Sequence, residues 1–127
     1  MSRERPALRP PSGEDAQITA TGQLGQSQTD EVLRLISAAT DQDNVSPLSE
    51  HVLLHLRYGG DPDARNLLLT VGPELAGYAH LDPTDPVEGP SGELVVHPAH
   101  RGHGLGLALT RALLAEAQAP VSQTTED

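Results

Sequence analysis

The chain has 127 residues, 18 acidic against 8 basic, with a formal charge of −10 and an isoelectric point near 4.8. That length suits one domain and leaves no room for two. All eight bases are arginine, which excludes the P-loop and the protein kinases, since both need a lysine at a fixed place.

A chain this acidic, with no Trp or Phe and only Tyr58 and Tyr78 as large aromatics, is a poor partner for nucleic acid. The absence of cysteine removes disulfides, cysteine-ligated zinc, iron–sulfur clusters and thiol catalysis. No apolar run approaches the roughly 20 residues that span a bilayer, and the start, Met1-Ser2-Arg3-Glu4-Arg5-Pro6, lacks the apolar region of a secretory signal. The sequence reads as a soluble, cytoplasmic chain with no membrane partner. Leu, Ile and Val total 29 residues, about 23% of the chain and just above the ~20% below which disorder is expected.

Residues 1–28 are rich in Pro, Gly and polar side chains, with only Leu8, Ile18 and Leu24 large and apolar. They read as a disordered leader with at most a short edge strand over 18–21. Thr29 then fits a helix cap ahead of Asp30 and Glu31, acids that the helix dipole favours. Val32, Leu33, Leu35, Ile36 and Ala39 follow at helical spacing. A polar loop over 41–44 leads to a second helix, with Ser46 as cap, Pro47 as first residue and Leu48, Val52, Leu53 and Leu56 as the buried face. The segment Tyr58-Gly59-Gly60-Asp61-Pro62 stops it.

The period then changes to that of strands. A strand over 66–71, a turn at Gly72-Pro73-Glu74 and a strand over 75–81 read as a β-hairpin. Residues 82–91, with Pro83, Pro86 and Pro90, read as a stiff loop, and 93–97 as a third strand stopped by Pro98. Gly104 opens a last helix with Leu105, Leu107, Leu109, Leu113 and Leu114 apolar. Residues beyond 117 read as a frayed polar tail. The order α-α-β-β-β-α predicts a mixed α/β layer structure.

The stretch from Glu93 to Gly106 joins a strand to a helix through a Pro-terminated turn and a glycine-rich loop. Glycines at 102, 104 and 106 allow close approach of the backbone and positive φ. The free amides of the first helical turn point at whatever sits there, and the helix dipole favours an anion. Arg101 is the only base between Arg65 and Arg111, in a stretch otherwise acidic. Taken alone, the glycines are equally consistent with a plain connecting turn. A dinucleotide fingerprint fits less well, because Leu107 breaks G-x-G-x-x-G.

Arg101-Gly102-His103-Gly104-Leu105-Gly106 matches R/Q-x-x-G-x-G/A, and this loop, with Leu94-Val95-Val96-His97-Pro98 before it, resembles the GCN5-related N-acetyltransferases. The resemblance implies that family's mixed sheet flanked by helices, an α/β (α+β) fold here truncated after the third helix, and acetyl-CoA as co-substrate. It further implies that the backbone of Leu94, Val95 and Val96 lines the pantetheine arm. Arg101, Gly102, His103, Gly104, Leu105, Gly106 and Leu107 would then hold the pyrophosphate through the loop amides.

Three segments, 45–53, 78–81 and 93–98, are similar to the N-terminal half of the mycothiol synthases, which carry two tandem acetyltransferase domains. That closer resemblance runs from about Thr29 to Ala117, so 29–117 reads as a partial acetyltransferase domain and 118–127 as its tail. It implies acetyl transfer to the cysteinyl amine of cysteinyl-glucosaminyl-inositol, Glu50 as a contact to this small-molecule amine acceptor, and a C-terminal acetyltransferase domain as partner. Glu50 reads equally as a solvated helix acid. A non-catalytic acyl-CoA-binding or interaction module, or an acetyltransferase with another acceptor, fits the same residues.

Two further groupings bear on chemistry. His97, His100 and His103 recur every third residue, but across a proline and a glycine loop, which does not gather them for a metal; no metal is expected. Glu93 and Tyr78 fit either an acid–base pair for the ammonium proton or structural roles, and the catalytic residue stays unassigned.

Overall fold

A computed structural model of the chain describes residues 16–59, 63–82 and 91–118. Strand β1 (Ala16–Thr21) opens the fold, followed by helices α1 (Gln26–Asp43) and α2 (Glu50–Tyr58). Strands β2 (Arg65–Val71), β3 (Glu74–Asp82) and β4 (Ser91–Val96), a 3-10 turn at Pro98–His100 and helix α3 (Leu105–Gln118) complete it. The four strands lie in the order β1-β2-β3-β4, and each neighbouring pair is antiparallel.

The leader expected to be disordered is ordered from Ala16 on. Its strand pairs with residues 66–71 of β2, with Ile18 opposite Leu69, so ladder hydrogen bonds hold a segment too poor in apolar side chains to announce itself. The predicted loop 83–90, the stop at 60–62, the chain before Ala16 and the tail after Gln118 lie outside the described residues.

Both helix caps differ from the expectation. Helix α1 starts at Gln26, not after Thr29, because the Gln28 side chain reaches back to accept the Gly25 amide at 2.8 Å. Its far end runs through 41–43, where a loop was predicted, and closes at Asn44 in the left-handed conformation with φ 62°. In α2 the cap is Ser49, whose Oγ accepts the Val52 amide. Ser46 instead spends its hydroxyl on the Leu48 carbonyl at 2.9 Å, in the turn before the helix. That shift makes Glu50 the first helical residue.

The sheet is covered on both faces. On one, Leu68, Tyr78 and Val95 pack with Val32, Leu35, Ile36 and Ala39 of α1 and Val52 and Leu56 of α2. On the other, Leu67, Leu69, Ala79 and Leu81 meet Leu105, Leu109 and Leu113 of α3. Leu107 and Leu114, predicted with the apolar residues of α3, are exposed; they fall on the helix side opposite the packed leucines.

Two details set how α3 sits. A Cβ at Gly77 would lie 2.9 Å from Leu109 Cδ1 and 3.2 Å from the Val95 carbonyl, so glycine in β3 is what lets α3 come down on the sheet. The register of β2 against β3 shifts between Leu69 and Thr70, leaving Ala76 as an extra residue in β3. Such a bulge frees a backbone group, and the Ala76 carbonyl accepts the His97 amide at 2.7 Å. The end of β4 is thereby fixed where the glycine loop begins.

Candidate functional site

The site is built at the crossover from β4 to α3. Pro98 cannot donate a ladder hydrogen bond, and strand pairing stops at Val96. His97 caps the 3-10 turn by accepting the Ala99 amide on Nδ1 at 3.0 Å. Gly102 and Gly104 follow with φ of 87° and 78°, values that side-chain-bearing residues rarely take. Nothing lies within 4 Å of where a Cβ at either position would stand, so the backbone is open to a ligand there. Gly106 differs. Its Cβ would make ordinary contact with Val96 at 3.8 Å, which explains in steric terms why the motif accepts alanine at that place.

The first intrahelical bond of α3 runs from the Ala108 amide to the Gly104 carbonyl at 3.1 Å. Amides of the preceding turn therefore have no acceptor within the helix. Gly102, His103, Gly104 and Leu107 are exposed, Gly106 is half-buried, and Leu105 turns its side chain into the core. The sequence groups these residues as an anion-binding loop, and the fold brings their backbones together at a helix N-terminus.

Arg101 does something the sequence did not foretell. Its two terminal nitrogens donate to the two carboxylate oxygens of Asp43, at 2.9 and 3.0 Å, and its Nε donates to the Val96 carbonyl at 3.1 Å. Mutual hydrogen bonding lowers the Asp43 pKa and raises that of Arg101.

Leu94, Val95 and Val96 lie on β4, which among the described residues pairs only with β3. Leu94 and Val96 face α3 and Val95 faces α1 and α2. At the other end of β4, Glu93 accepts the Ser49 amide and the Ser49 hydroxyl, each at 2.7 Å. That pair ties the start of α2 to the strand and leaves Glu50, next in sequence, exposed beside it.

A model of the Acetyltransferase (GNAT) family matches residues 30–126. The chain belongs to that acetyltransferase family. It is 58% identical over 100 residues to a mycothiol acetyltransferase of Streptosporangium roseum, a match covering 79% of this chain and 30% of that protein. With a mycothiol acetyltransferase of Acidothermus cellulolyticus it shares 57% over 101 residues, 77% of this chain and 31% of the relative. The chain thus spans about a third of the length of these relatives. Among solved structures, the GNAT domain of S. lividans PAT aligns with a TM-score of 0.57 at 18% identity, over 80% of this chain and 65% of that one. The Salmonella typhimurium protein yncA, a putative acetyltransferase solved with its cofactor acetyl-CoA, aligns with a TM-score of 0.51 at 18% identity, over 81% and 63%. These structures share the GNAT fold.

Tyr78 and Glu93 do not stand together as an open acid–base pair. Tyr78 is fully buried and donates its hydroxyl to Asn66 Oδ1 at 2.5 Å, and burial raises its pKa. Both Glu93 oxygens are taken by Ser49. The two hold the α2 face of this GNAT sheet in place.

The three spaced histidines divide. His100 meets Glu74 at 2.9 Å, His97 serves its turn, and His103 is exposed. Among the described residues no group of three His, Cys, Asp or Glu could hold a metal ion, and no helix is long and apolar enough to cross a membrane.

The sequence reading passed over a different set: His80, on β3, is 3% exposed. His55 stacks edge-on against it at 4.6 Å and His51 at 6.4 Å between ring centroids. Burial, and then the neighbouring His55 and His51, lower its pKa to about 4, against the opposing pull of Asp82 and Glu93. The unfolded chain takes up a proton here near pH 6.5, whereas the folded chain refuses it until about pH 4. Stability present above pH 6.5 is therefore lost progressively as the pH falls towards 4, by about 3 kcal/mol from this residue. Urea unfolding between pH 7 and 4 checks this: His80→Gln flattens the loss, and an unaltered pH profile contradicts it.

Proposed function

We propose that the chain is the N-terminal part of an acetyl-CoA-dependent N-acetyltransferase that acylates the cysteinyl amine of cysteinyl-glucosaminyl-inositol to give mycothiol. The observation that carries this reading is the open, left-handed glycine loop at the end of β4, in a chain whose family and named relatives are acetyltransferases. Acetyl-CoA as co-substrate fits the residues present: Gly102 and Gly104, at positive φ and with open space beside them, leave the loop backbone accessible, and the start of α3 adds amides without helical acceptors and its dipole. When bound, acetyl-CoA supplies the thioester whose acetyl group is transferred.

Amides of 102–107 take the pyrophosphate in this reading. The backbone of Leu94, Val95 and Val96, along the side of β4 away from β3, takes the pantetheine amides as a strand would. Acyl transfer forms a bond from the amine nitrogen to the acetyl carbon and breaks the bond from that carbon to sulfur. The proton lost by the amine ends on the CoA thiol. Glu50 is the acceptor contact, because an exposed carboxylate beside the start of β4 favours an ammonium group. From Glu93 to Val96 the strand advances about 10 Å, which separates an acceptor end from a pyrophosphate end. The partner domain is a C-terminal acetyltransferase domain, and the setting is cytoplasmic.

The span of about a third of the relatives' length favours a second reading, in which this part binds acyl-CoA without turnover and the remainder carries the chemistry. Release of free CoA in the presence of an amine acceptor separates the two.

Calorimetric titration with acetyl-CoA tests the cofactor site. The parent chain binds, and Gly104→Val, which forces a β-branched residue to positive φ, weakens binding more than about tenfold; equal affinity of both folded chains contradicts the reading. In an enzyme of the relatives' length, Glu50→Gln raises KM for the acceptor and leaves acetyl-CoA affinity unchanged. An unchanged acceptor KM makes Glu50 a solvated helix acid.

A further inference from the structure

Arg101 is the only base between Arg65 and Arg111, and a lone guanidinium beside an anion-binding loop is ordinarily taken for a phosphate ligand. Here it is already committed. Three of its five N–H donors are used: two on Asp43, the last residue of α1, and one on the carbonyl that ends β4. Those bonds join the end of α1, 58 positions away, to the end of β4 at the point where the loop departs. Asn44, turning left-handed at φ 62° behind Asp43, fixes the direction of the α1 terminus. The Asn44 amide donates to the Thr40 carbonyl at 2.8 Å. The carboxylate is thus delivered by a closed helix end.

We infer that Asp43 is a positioning residue for the pyrophosphate loop, acting through Arg101, which braces the loop and leaves the anion to the backbone amides. This rests on the acyl-CoA reading above. The fork geometry suits the role: a bidentate pair fixes orientation as well as distance, and the third bond to Val96 prevents the guanidinium from swinging outward. Arg101 and Asp43 side chains are 40% and 33% exposed, so their mutual attraction is screened by solvent. The contribution is to loop geometry, read in ligand affinity and local order.

The test uses the full 127-residue chain and its Asp43→Asn, Arg101→Gln and double variants. Without ligand, backbone 15N order parameters of 101–106 are near 0.85 in the parent and fall below about 0.6 in Asp43→Asn, with β2 and β3 unchanged; Asp43→Glu, which keeps the carboxylate, recovers most of the order. With acetyl-CoA, each single variant raises Kd about tenfold, the double variant is no worse than either single, and Arg101→Gln keeps the parent's salt dependence.

Tighter binding by Asp43→Asn, or a shallower salt dependence in Arg101→Gln, overturns the inference, since a freed guanidinium would then be a phosphate ligand. Unaltered order in Asp43→Asn overturns it too. Absence of acetyl-CoA binding by a folded parent refutes the cofactor reading alone, and the order parameters then decide the brace.

Discussion

Between the last paired residue of β4 and the first hydrogen-bonded turn of α3, the backbone must change from strand to helix within a few residues. Two left-handed glycines, Gly102 and Gly104, make that path possible. Much of the surrounding structure holds both of its ends still. Leu105, Leu109 and Leu113 press α3 onto the sheet, and the missing Cβ of Gly77 sets how closely it approaches. The bulge at Ala76 supplies the carbonyl that anchors His97. A loop with few side-chain contacts of its own is ordered by rigid neighbours.

The proposed site poses an electrostatic question: how a chain of charge −10 would hold an anionic cofactor. Distance resolves it. Exposed charges more than about 8–10 Å away are largely screened at physiological salt, whereas oriented amides and a helix N-terminus act at contact range. Asp43 is bonded to the residue that opens the loop, and Arg101 neutralises it. Backbone amides at the helix start are then a source of positive potential that cannot be titrated.

Local patterns made much of this legible. Helical spacing in 32–39, the hairpin around Gly72 and the strand–loop–helix from 93 to 109 all read correctly, because each is determined by residues close together in the chain. Caps were misplaced by four residues at Thr29 and by three at Ser46, since the Gln28 side-chain amide and the Ser49 hydroxyl competed successfully for the same role. Strand β1 was read only as a short possibility, as its stability comes from β2, more than forty residues on. The Arg101–Asp43 fork, the Glu93–Ser49 clasp and the buried Tyr78, Asn66 and His80 were invisible for the same reason. No local signal marks a partner 58 positions distant.

The acyl-CoA site proposed for this GNAT chain is the backbone from 102 to 107, continuing onto 94–96. A 15N titration of the chain with acetyl-CoA addresses every amide at once. The largest shift changes are expected at 102–107, with smaller ones along 94–96. The cavity of about 550 Å³ at the opposite end of the strands, lined by Gly22, Leu24, Leu33 and Asn66, should stay unmoved. Changes concentrated at that cavity, or no changes at 102–107 under saturation, would contradict the proposed site.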